Sequence, residues 1–175
     1  MLAIALGFVL VLVTLPPPAA GAHAGVGDLV VNDSTHQLDN GVSDVRLAVS
    51  ADLDWSVPDA TKRIVRLDAR PAGASEYTAV AWDINESPGD GEVRTIDLEG
   101  SLLDLEAFNE SDIVPEPGET TETDVEVRLY LGIDDADGER LEANATTTAT
   151  LTLEHTGEAI HVDVGGHGDF VVVLD

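Results

Sequence analysis

Asp44-Val45-Arg46-Leu47-Ala48-Val49-Ser50-Ala51-Asp52-Leu53-Asp54-Trp55-Ser56-Val57 keeps a two-residue rhythm from end to end. Val45, Leu47, Val49, Ala51, Leu53, Trp55 and Val57 fall on one side of it. Asp44, Arg46, Ala48, Ser50, Asp52, Asp54 and Ser56 fall on the other. That is the period of an extended strand, whose successive side chains point to opposite faces. A helix would spread the same residues round its whole circumference. The stretch therefore reads as the long central strand of an antiparallel sheet, one face in a core and the other in water.

The rhythm returns downstream. Residues 124–133 set Val125, Val127, Leu129, Leu131 and Ile133 on one side, and residues 140–154 do the same with Leu141, Ala143, Ala145, Thr147, Ala149, Leu151 and Leu153. Shorter strands are expected at 29–31, at 63–69 (Val65, Leu67 and Ala69 inward), at 77–84 (Val80, Trp82 and Ile84 together) and at 92–98. Pro71-Ala72-Gly73 and Pro88-Gly89-Asp90-Gly91 are turns, proline presetting φ and glycine supplying φ > 0. Residues 159–164 and 169–174 predict a closing hairpin. Residues 101–108 fit a strand or a short helix, and residues 109–123, with Pro115, Pro117, Gly118 and five acids, are expected to form a solvated loop.

Eight or nine evenly spaced strands without a convincing helix resemble an antiparallel β-sandwich of the immunoglobulin or fibronectin III kind. The fingerprints of those folds are absent: there is no Cys–Trp–Cys, and Tyr130 sits on the polar side of its strand. Trp55 and Trp82 both fall on expected inward faces, which favours a core role over a sugar platform.

Thirty-four acids against eight bases give a net charge of −26, and Lys62 is the one lysine. Intrinsic disorder is one source of such an excess. Val, Leu, Ile and Phe nevertheless make up 41 of the 151 residues after Ala24, above the ~20 % floor of disordered chains. The other source is adaptation to brine, where a Debye length of about 3 Å at molar salt quenches the mutual repulsion of the acids. Scarce lysine, abundant Asp, Thr, Ala and Val, and small core residues resemble haloarchaeal proteins. A surface this negative argues against nucleic acid and against an anionic membrane face. The absence of cysteine removes disulfides, thiolate zinc sites and a lipidated N-terminal Cys.

Residues 1–15 are apolar apart from Thr14, and Pro16, Pro17, Pro18 and a run of small residues to Ala24 follow. As a helix the apolar run reaches ~22 Å, short of the ~30 Å hydrocarbon core. Small residues at Ala20/Ala22 and Ala22/Ala24 satisfy an A-x-A cleavage pattern. Residues 1–24 are read as a signal peptide or short anchor, the only expected membrane contact, and residues 25–175 as a single domain outside the cell. A basic region before the apolar run is missing.

Four of the five asparagines open an Asn-x-Ser/Thr triplet: Asn32, Asn85, Asn109 and Asn144. With 21 Ser and Thr in 151 residues, chance predicts about 0.7 such triplets. They point to N-glycosylation of an exported protein, with Asn85 weakest because Pro88 follows its triplet. Two metal readings stand beside this one. His155, His161 and His167 are six apart, and three imidazoles brought together would bind a transition metal. Cleavage after Ala22 would leave His23 first, which resembles the copper brace of some secreted β-sandwich proteins and implies copper chelation there. The tip Asp134, Asp135, Asp137 and Glu139 invites calcium, although a strict EF-hand loop fails because Ile133 stands where an acid belongs. Surface histidines and solvated carboxylates are the plainer alternatives. No nucleophile elbow, phosphate-cradling loop or His-Glu-x-x-His occurs. The expectation is a non-enzymatic envelope module without a resident cofactor, whose partners are envelope proteins or glycans; a metal-binding protein and a virion or appendage subunit are the alternatives.

Overall fold

The computed structural model describes residues 22–38, 42–155 and 168–174. The leader up to Gly21, His161, His167 and the first arm of the expected closing hairpin lie outside them. Nine strands run in chain order: β1 His23–Val26, β2 Ser34–Leu38, β3 Val42–Ser56, β4 Lys62–Pro71, β5 Thr78–Asn85, β6 Gly91–Ser101, β7 Thr120–Asp134, β8 Arg140–His155 and β9 Gly168–Leu174, with one helical turn, α1 Glu110–Ile113, before β7.

They form two sheets. In the first, β3 pairs along one edge with β6, and along the other with β9 at Val42–Val49 and with β1 at Leu53–Ser56. β1 and β9 therefore lie end to end on the same edge of β3, both antiparallel to it. The second sheet runs β2-β8-β7-β4-β5. Every pairing is antiparallel except β2 with β8, which is parallel. This is an immunoglobulin-like sandwich: β1, β3 and β6 stand as strands A, B and E, and β4, β7 and β8 as C, F and G. β5 adds the extra C′ strand of a variable-type domain.

The alternation read from 44–57 is the alternation of burial. Val45, Leu47, Leu53 and Trp55 on β3 face Val65 and Leu67 on β4 and the unbroken row Val125, Val127, Leu129, Leu131 and Ile133 on β7, all at or near zero exposure. Each fully buried Leu or Ile is worth roughly 1.5–3 kcal/mol in transfer from water. Gly100 lets the sheets meet at one side: a Cβ there would stand 2.4 Å from the Val80 carbonyl oxygen on β5.

Four expectations need correction. Residues 29–31 are not a strand, although Leu29 and Val31 are buried; β1 and β2 flank them instead. Residues 101–108 form successive turns, and the expected solvated loop contains α1, because Leu102, Phe108 and Ile113 are all buried and fold these segments over the core.

Trp82 is the largest departure. It is 64 % exposed, with Ile84 exposed beside it. β5 pairs Val65 with Asp83 and Leu67 with Ala81, so Ala81 and Asp83 share the core side. That parity brings Asp83 to the guanidinium of Arg63, which is 1 % exposed and ion-paired to it. Turning Trp82 inward would strand this charge, so the ion pair sets the face. Trp55, as expected, is core, with Arg63 5.4 Å from its ring centroid.

Candidate functional site

The outer face of the five-stranded sheet is built by outward positions that each look unremarkable in sequence. Register assembles them. Trp82 on β5 pairs with Arg66 on β4, Arg66 with Tyr130 on β7, and Tyr130 with Asn144 on β8, one row across four strands. Strands are ~4.8 Å apart, so the backbones at Trp82 and Tyr130 stand about 10 Å apart with Arg66 on the strand between them. The next row carries Asp68 opposite Arg128, and the one after it Arg70 opposite Glu126.

Asp68 is the anchor. Its side chain is 2 % exposed. Arg66 Nε donates to one carboxylate oxygen at 2.6 Å, and Arg128 donates to the other through Nε at 3.0 Å and Nη2 at 2.7 Å. The carboxylate lies beneath and the guanidiniums above. Arg70 Nε donates to Glu126 Oε2 at 2.7 Å, and the Tyr77 hydroxyl donates to the same oxygen at 3.2 Å. The Arg70 guanidinium holds the Glu126 carboxyl below its ordinary range, outweighing the opposing effect of partial burial.

Aromatic rings fill the spaces between the cations. Tyr77 has the guanidinium carbons of Arg70 and Arg128 each 4.2 Å from its ring centroid, and Arg66 stands 5.3 Å from the Tyr130 ring. These are cation–π distances. Tyr130 can lie flat along its strand because residue 132 is glycine: a Cβ there would come 2.7 Å from the phenol oxygen. The Tyr130 hydroxyl donates to Glu142 at 2.6 Å, and burial followed by that carboxylate raises the phenol above its ordinary value.

Five of the eight bases, Lys62, Arg66, Arg70, Arg128 and Arg140, occupy outward positions on this face. The outer face of the other sheet carries Asp44, Asp52, Asp54, Asp97 and Glu99 against Arg46. The two broad surfaces of the sandwich thus differ in kind: one mixes its five bases with seven carboxylates and carries aromatic rings, the other sets five carboxylates against Arg46.

Among the described residues, the sites singled out from sequence lie apart from one another. Asn109 and Asn144 are exposed, and Asn32 and Asn85 half-buried. Asn85 Oδ1 accepts the Ser87 backbone N–H at 3.0 Å, and Asn109 Nδ2 donates to Asp112 at 3.0 Å. His23 Nε2 lies 3.2 Å from Asp54, and His155 Nδ1 lies 3.2 Å from the Pro115 carbonyl. At the tip, Asp134 is taken by Arg140, with Nη2 at 2.8 Å, and that hydrogen bond holds its carboxyl below the ordinary range. Asp135 Oδ1 accepts the backbone N–H groups of Asp137 and Glu139, both at 2.9 Å, which is turn chemistry. Among the described residues no three His, Asp or Glu side chains converge as a metal-ligand set.

Sequence reasoning passed over His36. It is 2 % exposed, neither ring nitrogen has a protein partner, and burial lowers its pKa.

No protein-family model and no curated protein matches the chain. Among solved structures, that of murine CRIg is similar at 8 % identity over 75 % of this chain and 98 % of that one, with a TM-score of 0.33. A superposition that loose carries no argument; the strand order above carries the fold. Among the described residues no helix is long and apolar enough to cross a membrane.

Proposed function

We propose that this domain is a non-enzymatic interaction module of the cell envelope of a salt-adapted organism, exported and N-glycosylated, and that it engages its partner through the outer face of the five-stranded sheet. One observation carries the reading: Trp82, Tyr77, Tyr130 and five of the eight bases gather on a single face of a molecule with a net charge of −26. Trp, Tyr and Arg are the residues that dominate binding energy at protein surfaces, whereas bare carboxylates are depleted from interface centres. Export is supported by the apolar leader and the four triplets, and salt adaptation by the composition.

Retention of the purified protein on isolated envelopes in about 2 M KCl tests this, where long-range charge attraction is screened. Trp82→Ala should cut retention roughly tenfold, as expected of a central aromatic anchor, and Val93→Ser on the opposite sheet should leave it unchanged. Equal retention of wild type and Trp82→Ala would remove the assignment of the face. An intact mass of native protein equal to the bare polypeptide would remove the glycoprotein reading.

A further inference from the structure

We propose that the row Trp82–Arg66–Tyr130 is a subsite for an uncharged glycan, with a sugar ring stacked on the indole and its hydroxyls held by the guanidiniums locked to Asp68. The proposal rests on the reading of this face as the interaction surface and names the ligand.

Trp82 is 64 % exposed against 1 % for Trp55, and it stands on the edge strand β5. Such a ring offers a large apolar area of fixed geometry, the match for the C–H face of a pyranose. Its cross-strand neighbour supplies the polar half. A guanidinium has five N–H donors in a rigid plane; Arg66 commits Nε to Asp68, and Arg128 commits Nε and Nη2. The remaining Nη donors of Arg66 belong to a side chain 41 % exposed. Because Asp68 already fixes both planes, little side-chain entropy is lost when a ligand hydroxyl arrives.

Charge complementarity selects among ligands. Around this row Arg66 and Arg128 share Asp68, Arg70 pairs with Glu126, Arg140 with Asp134, and Glu142 lies against the Tyr130 hydroxyl, so four guanidiniums meet four carboxylates and the patch is close to neutral within a strongly acidic molecule. A polycation would be drawn to the excess acids of the opposite sheet, where five carboxylates face Arg46, and a polyanion is held off by the net charge of −26. A second copy of the chain brings the same −26 with it. An uncharged polyol meets neither penalty. Stacking and neutral hydrogen bonds also persist at ~1 M salt, where the ~3 Å Debye length weakens exposed ion-pair docking.

The two tryptophans make the test direct, because acrylamide quenches the exposed indole and not the buried one. Quenching of the purified protein is followed in about 2 M KCl against neutral gluco-, manno-, galacto- and N-acetylglucosamine oligosaccharides, with galacturonate and chitosan oligomers alongside. At least one neutral oligosaccharide should protect Trp82 saturably. Its affinity should change little with KCl and fall roughly fivefold in Arg66→Ala, the scale of one hydrogen bond. By calorimetry, Trp82→Ala should abolish binding and Trp82→Tyr should retain it, while both keep the wild-type urea midpoint. Protection by no neutral sugar, or by charged oligomers alone, overturns the proposal. So does protection that appears with rising protein concentration before any sugar is added, which would make a second copy the occupant. If sugars fail while Trp82→Ala still loses envelope retention, the interaction surface stands and the glycan falls.

Discussion

At the scale of single residues, Arg63 is the buried cation among the described residues. Its guanidinium is 1 % exposed, Nε and Nη1 have no protein partner, and its one ionic contact is Asp83, itself 42 % exposed. A buried charge is expensive unless paired, and removing only its partner leaves the whole cost behind. Asp83→Ala should therefore destabilise by about 3 kcal/mol, the low end for a buried pair because Asp83 is partly solvated. Arg63→Met, which removes the buried charge and leaves Asp83 in water, should stay within about 1 kcal/mol of wild type. Urea unfolding of the two variants reads the asymmetry, and equal losses would mean that Arg63 is better solvated than its surroundings indicate. His36 adds a second prediction. Burial depresses its pKa below 6.5, so the folded state resists a proton that the unfolded chain accepts. Its contribution is fully present above pH 6.5 and is lost as pH falls from there. The carboxyls of Asp44, Glu126 and Asp134 are also depressed, but they protonate only in the acid range, below ordinary values of 3.8 to 4.5. The melting temperature should thus begin to fall below about pH 6.5, and His36→Leu should remove this first phase and keep the later one.

At the scale of elements, every strand with neighbours on both edges was legible, and so were β6 and β9 with one partner each; β1, β2 and the facing of β5 were not. β3, β7 and β8 are each held between two partners with one face in the core, so every second residue must be apolar and the alternation is strict. β5 has one neighbour. Its sequence Thr-Ala-Val-Ala-Trp-Asp-Ile-Asn offers Val80, Trp82 and Ile84 on one side and Ala79, Ala81 and Asp83 on the other, and hydrophobicity alone picks the first set for the core. The burial of Arg63, decided three-dimensionally, reverses the choice. β1 and β2 carry no run of large apolar residues and exist because β3 and β8 offer them a ladder. The candidate face was illegible for a related reason: Arg66, Asp68, Tyr130 and Arg128 each read as ordinary solvent-side residues until cross-strand register makes them neighbours. The asparagine triplets and the acidic tip stood out as local patterns; the fold sets the triplets apart and commits Asp134 to Arg140 and Asp135 to its own turn, while His161 and His167 lie outside the described residues. Gly100 gives the test proper to this scale. Its missing side chain admits the Val80 carbonyl where β6 meets β5. Gly100→Ala should cost about 1–3 kcal/mol through overpacking against backbone, measured by urea unfolding, whereas Gly89→Ala in the open turn should show only the strain of its φ of +77°.

At the scale of the whole molecule, the net charge sets how stability should respond to salt. A net −26 on 175 residues pushes the compact state apart when the Debye length is ~10 Å, at 0.1 M salt, and hardly at all when it is ~3 Å, at 1 M. Raising KCl from about 0.1 to about 2 M should therefore raise the melting temperature well beyond the few degrees seen for proteins of balanced charge, and the gain should be similar in NaCl. A flat response would remove salt adaptation as the cause of the composition. β1 and β9 carry one more consequence. They lie end to end on one edge of β3, with His23 beside Ser56 and Leu174 beside Val42, so the polypeptide enters at one pole of the sandwich and leaves at the other, on the order of 45 Å away along a fifteen-residue strand. Tension applied through the two ends would run parallel to β3 and strain all the rungs of each short ladder together instead of peeling them one by one. Ladders loaded in that direction resist stretching more than ladders that open rung by rung.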